Sequence, residues 1–101
     1  MDKAEFAKRL AELRIGKGVS ARDMSLSIEQ SASYINNIEN GVNLPSMTCF
    51  FFICEYLGVS EAEFFDLENR SPLRLHKLVD QAMKLDSEKL GHLVAIVSSM
   101  K

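Results

Sequence analysis

ARDMSLSIEQSASYINNIENG, residues 21–41, is the stretch whose reading decides the fold. Its apolar or small residues fall at Met24, Ser25, Ile28, Ile35 and Ile38, one stripe on each of two short helices, with the polar run Glu29-Gln30-Ser31 between them. Ser20 stands before the first helix and Ser31 before the second. Each offers a hydroxyl that can accept from a backbone N–H left unpaired in a first turn. Gly41 suits the left-handed residue that closes the second helix. Two helices joined by so short a turn must cross steeply.

Working outward, the segments FAKRLAELR, GVSARDMS, SYINNIENG, LPS and LGVSEAEFFDL resemble, in order and spacing, the Cro and phage-repressor type (Xre-like) helix-turn-helix family, over about residues 6–67. The resemblance implies an all-α chain. A five-helix lambda-repressor-like domain would occupy residues 1–69, and residues 70–101 would follow as a C-terminal two-helix extension. It also implies that the third helix enters the major groove of double-stranded DNA, usually in a dimer. Arg14 and Glu39 match a family pair that clasps the first helix to the third. Ala21 stands where many members have a phosphate-touching glutamine, and Arg22 beside it is the substitute the sequence offers. Glu29 occupies a position usually held by glycine, where a positive φ would cost glutamate about 1 kcal/mol.

By position, Ala32, Ser33 and Asn37 fall on the base-facing side of the third helix, with Ser31 at its start and Tyr34 and Asn36 beside them. Asparagine can pair in two places with adenine, and small side chains can meet several base edges or a thymine methyl. No arginine is present to clamp a guanine, so the expected site leans towards A/T or discriminates weakly. Lys17, Arg22 and Asn40 are the expected phosphate contacts, with backbone N–H groups.

Charge argues in the other direction. Residues 1–22 carry six Lys/Arg against three Asp/Glu, residues 23–69 carry none against eight, and residues 70–101 carry six against three. DNA binders draw much of their affinity from cations at phosphates. Here the segment holding the expected reading helix has none. Lys3, Lys8, Arg9 and Lys17 fall mostly on solvent faces of a first helix whose Phe6, Leu10 and Leu13 turn inward.

Length and composition suit one modest core: 101 residues, 47% hydrophobic. Nothing approaches a membrane span and the N-terminus has no apolar leader, so the expectation is a soluble cytoplasmic protein. Cys49 and Cys54 point to different sides of one helix and read as small hydrophobes, neither disulfide nor zinc ligands. His76 and His92 have no carboxylate or cysteine at ligand spacing. No nucleophile–base set and no phosphate loop occurs, so neither an enzyme nor a cofactor, metal or small-molecule ligand is expected.

The rest of the chain reads as more helix. Ser46 and Gly58 bound a helix with Met47, Phe50, Ile53, Cys54 and Leu57 inward, and with a second stripe at Cys49, Phe52 and Tyr56. Ser60-x-x-Glu63 is a capping box, and Phe64, Phe65 and Leu67 would anchor the short helix that follows. From Ser71-Pro72 onward, Leu75, Leu78, Val79, Ala82 and Met83 form one apolar face. After Asp86, Leu90, Leu93, Val94, Ile96, Val97 and Met100 make a wider one. This helical hairpin would pack on Phe52 and Tyr56, on a second copy through Leu90, Leu93 and Val97, or on both, which favours a homodimer. Two functions fit: a sequence-specific transcriptional regulator, or a helix-turn-helix scaffold that binds a protein instead of DNA.

Overall fold

Side chains close to each helix start fix where most of the helices begin in the computed structural model, which describes residues 1–100. Helix α1 (Lys3–Lys17) starts on Asp2, α2 (Ala21–Ser27) on Ser20, α4 (Met47–Leu57) on Ser46 and α7 (Ser87–Ser99) on Asp86; each cap oxygen accepts a first-turn N–H. Helix α5 (Glu61–Phe65) opens with the expected reciprocal box, Ser60 to the Glu63 N–H and Glu63 back to the Ser60 N–H. Glycines at 18 and 58 end α1 and α4 in the left-handed conformation. Helix α6 (Pro72–Ala82) has proline in its first turn.

Helix α3 (Tyr34–Glu39) departs from the sequence reading. It starts two residues later than a Ser31 cap would place it, because Ser31 lies in a turn where its carbonyl accepts the Tyr34 N–H. Ser33 precedes the helix and makes no side-chain cap bond. The missing cap comes from another helix. Ser25 of α2, fully buried, donates its hydroxyl to the Ala21 carbonyl and accepts the Ile35 N–H at 2.9 Å. A six-residue helix cannot stand alone in water. It is held by this bond and by Ile35 and Ile38, both fully buried; burying a side chain of that size contributes about 1.5–3 kcal/mol.

The core runs from Phe6, Leu10 and Leu13 of α1 through Met24, Ile28, Ile35 and Ile38 to Phe50, Ile53 and Leu57 of α4 and Phe64 of α5. Phe6, Phe50 and Phe64 form an aromatic cluster, with ring centroids 4.9–5.8 Å apart. Met47, Phe65 and Leu67, expected inside, are exposed; Phe64 alone anchors α5, and Phe65 lies half over Phe50 at the surface. Cys54 is buried, and burial, followed by the Glu61 charge, pushes its thiol up to about 12. Cys49 differs from its expected role as a small hydrophobe. It is half-buried and takes a long bond from the Gln30 amide.

Arg9 is the largest departure. Read as a solvated charge, it is 2% exposed and reaches across to the end of α5. Its Nε donates to the Phe64 carbonyl at 2.7 Å, and its Nη2 reaches the carbonyls of Glu63, Asp66 and Asn69 at 2.7–2.9 Å. Its Nη1 pairs with Glu12 at 2.6 Å. Arg9 thus supplies a donor to the Phe64 carbonyl at the end of α5 and ties Glu63 and the following loop, Asp66 and Asn69, to α1.

The tail does not cover Phe52 and Tyr56. Phe52 is 48% exposed, and the concavity beside it is lined by Ser27, Ile28, Glu29, Glu55 and Tyr56, with no residue of α6 or α7. Helix α6 is attached at its root by buried Pro72, by Leu73 against the core, by Arg70–Glu12 at 3.0 Å and by His76–Glu63 at 2.6 Å. His76 therefore has a carboxylate partner thirteen residues upstream that local spacing could not reveal. Helices α6 and α7 do not pack along their length as a hairpin, and α7 buries no residue. The radius of gyration, 16.5 Å, exceeds the ~13 Å of a compact chain of this size, and the long dimension is 50 Å. The excess is the projecting tail, with Leu75, Leu78, Val79, Leu90, Val94 and Val97 among its exposed apolar side chains.

Candidate nucleic-acid interface

Helices α2 and α3 pack on each other and α3 packs on α1, and this arrangement turns one face of α3 outward. Ser31, Ser33, Asn36, Asn37 and Asn40 are exposed, Ala32 is partly so, and Ile35 and Ile38 point into the core. The outer face is polar, small and uncharged. Its amides and hydroxyls can donate and accept along base edges.

Arg14 fixes how α3 sits on α1. Its Nε donates to Glu39 Oε2 at 2.6 Å and its Nη2 to Oε1 at 2.9 Å, a two-pronged pair, while Nη1 donates to the Val19 carbonyl at 2.9 Å. Bonding to Glu39 raises the Arg14 pKa above its ordinary value, against burial. Both charges are thereby matched to each other, and neither is left for a phosphate.

The turn between the helices carries the strain expected of it. Glu29 has φ +61°, the one positive φ outside glycine among the described residues. Downstream, Tyr34 lies beside the base-facing positions. It is half-buried against the core, and burial, then the Cys49 thiol, pushes its phenol up to about 12. Hydrogen bonds from Ser46 and Tyr34 hold the Cys49 thiol below the usual range, against a smaller effect of burial. Gln30, Tyr34 and Cys49 thus link the turn and the start of α3 to α4.

Among the expected phosphate contacts, Lys17 is engaged elsewhere. Its ammonium donates to the Tyr56 carbonyl and stands 4.2 Å from the centre of the Tyr56 ring. Its charge is directed to α4 in this arrangement. Arg22 is exposed in the first turn of α2 and enters no ion pair among the described residues. It is the cation that remains beside the reading face. Asn40, exposed just past α3, is followed by Gly41 at φ +76°.

A second surface, not foreseen from the sequence, lies at the start of α4, where Leu44, Met47, Phe51 and Phe65 are exposed together beside Pro45. Its signal was a run of three phenylalanines, Phe50-Phe51-Phe52, on a helix that can turn only one of them squarely inward. Among the described residues no group of three or more His, Cys, Asp or Glu could hold a metal ion, and no helix is long and apolar enough to cross a membrane.

A family model described as a helix-turn-helix domain matches residues 7–70. No curated protein and no solved structure matches the chain.

Proposed function

The chain belongs to the helix-turn-helix domain family, and from that premise we propose that it is a sequence-specific, DNA-binding transcriptional regulator of the Cro/repressor type, acting as a homodimer. The observation that carries this reading is the outer face of α3, where Ser33, Asn36 and Asn37 stand exposed on a helix that is anchored by Ile35, Ile38 and the Arg14–Glu39 clasp. Asn36 and Asn37, with Ser33 and Ala32, read base edges. Arg22, Asn40, Ser31 and backbone N–H groups meet phosphates. The cation-free stretch keeps the electrostatic share of affinity small, so the site favours A/T and binding is modest. Pairing through the exposed faces of α6 and α7 sets two copies of α3 at the spacing of successive major grooves.

A second reading is favoured by one observation. Phe51, Phe52 and Phe65 are exposed on a segment without a single Lys or Arg, which is a surface suited to a protein partner. One experiment separates the two: retention of random duplexes at low salt, followed by sequencing and a salt titration. A two-fold symmetric motif whose affinity falls with salt, with a shallower slope for Arg22→Ala, is the expected result. No retention above background at low salt refutes the DNA reading and leaves the protein-binding one.

A further inference from the structure

Where α6 leaves the body of the molecule, a cavity of about 320 Å³ opens between the C-terminal half of α1, the end of α4 and the first turn of α6. Its walls are Leu13, Ile15, Leu57, Val59, Pro72 and Leu73. Leu13, Leu57, Val59 and Pro72 are core residues, and Ile15 at the mouth is 66% exposed on the otherwise polar end of α1.

The rim is cationic. Arg70 and Arg74 both line the opening, together with Glu12. The Glu12 carboxylate is already matched twice: burial would raise its pKa, but hydrogen bonds from Arg70 and from buried Arg9 hold it below the usual carboxylate range. Arg74 enters no ion pair among the described residues. The cavity thus joins an apolar chamber to a mouth with one surplus guanidinium and a second that is 65% exposed. Guanidinium groups meet a carboxylate in a planar, two-bond geometry. The chamber is at the small end of ligand sites, which fits one chain or ring rather than a larger cofactor.

We propose that this cavity binds a small amphiphilic acid, its apolar body between Ile15 and Leu73 and its carboxylate at Arg74 and Arg70. The site lies outside the reading face and does not depend on DNA binding. Being at the root of α6, it places a bound ligand where the tail is joined to the domain.

The test uses the full chain and decanoate below its micelle concentration, with decanol and acetate as partial mimics, followed by calorimetry and amide NMR. Saturable one-site binding is expected, with shifts at Gly16, Val59, Leu73 and Arg74. Decanol, which lacks the charge, and the Arg74→Gln variant should each bind or be bound about tenfold more weakly. Arg74 has no partner to lose, so the variant keeps the fold, and an unchanged unfolding curve verifies this. Equal binding of decanol, undiminished binding by Arg74→Gln, or shifts confined to the exposed face of α7 would each overturn the assignment. So would decanoate being expelled as rising protein concentration drives pairing, since the occupant would then be a second copy of the chain.

Discussion

Replacing Arg9 with alanine should cost about 3–5 kcal/mol of folding stability, although the residue follows Lys8 on α1 and reads from the sequence as solvated. The guanidinium serves four carbonyls and one carboxylate. The Phe64 carbonyl is buried and would stay dry, which costs about 1–3 kcal/mol for an orphaned group. The carbonyls of Glu63, Asp66 and Asn69 are only part-buried, so water recovers some of those bonds, and each loss falls nearer 0.5–1 kcal/mol, about the net worth of an ordinary hydrogen bond. The hydration regained by removing a buried charge offsets part of the total, and the packing lost along the aliphatic stem adds to it. Arg9→Lys keeps the charge and the stem, but a single ammonium cannot span carbonyls from Glu63 to Asn69; about half the loss is expected. Lys8→Ala, exposed next door, should change stability by no more than about 0.5 kcal/mol. The assay is urea unfolding followed by circular dichroism at one fixed protein concentration, read as a midpoint shift at constant slope. An Arg9→Ala protein within about 1 kcal/mol of the parent would refute the reasoning.

Further expectations follow from single bonds and angles. Ser25→Ala removes the cap that α2 lends to α3 and leaves the Ile35 N–H dry, so a loss of about 1–2 kcal/mol is expected in the same unfolding assay; no loss would mean that the bond is idle. Glu29→Gly relieves the positive φ and should gain about 0.5–1 kcal/mol, whereas Glu29→Ala should not, and equal gains from both would implicate the carboxylate instead of the backbone. Val97→Asp places a charge on an exposed apolar face, so it should leave the unfolding of the domain unchanged while shifting sedimentation towards monomer; an unaltered dimer would exclude pairing through α7. Glu63 is held below the usual carboxylate range, first by the Ser60 N–H and also by His76, with burial opposing. A depressed folded value means that this stability is fully present above the unfolded pKa of about 4.3 and is lost as pH falls through the folded one. Glu63→Gln should therefore flatten the acid limb of a stability–pH curve, and parallel curves would contradict this.

What the sequence made legible was local. Caps at Asp2, Ser20, Ser46, Ser60 and Asp86 lie next to the helices they start, and the stripes of α1 to α4 repeat at helical spacing. Glu29 was legible through the family pattern, as was the pairing of Arg14 with Glu39. The rest depended on distance along the chain. Arg9 bonds residues fifty-four to sixty positions away, and nothing in its neighbourhood predicts those partners. A hint existed: Arg9 lies three residues after Phe6 and four before Leu13, on the side of α1 that faces inward. Ser25 was placed correctly in a buried stripe, but a buried hydroxyl needs a partner, and that requirement pointed to a bond the pattern alone did not name. The attachment of α6 rests on Pro72, Leu73 and His76, whose partners in α1, α4 and α5 become neighbours only once the domain has closed.

Helix α7 has a consequence for how long a copy of this protein survives. Thirteen residues with no buried side chain form a helix that is marginal in water by itself, so its order depends on whatever covers Leu90, Val94 and Val97. Uncovered, the segment from Ser87 onward is the place where the chain opens first and where a protease can begin. In the homodimer proposed above, pairing would shield this segment, so that abundance and oligomeric state would rise and fall together.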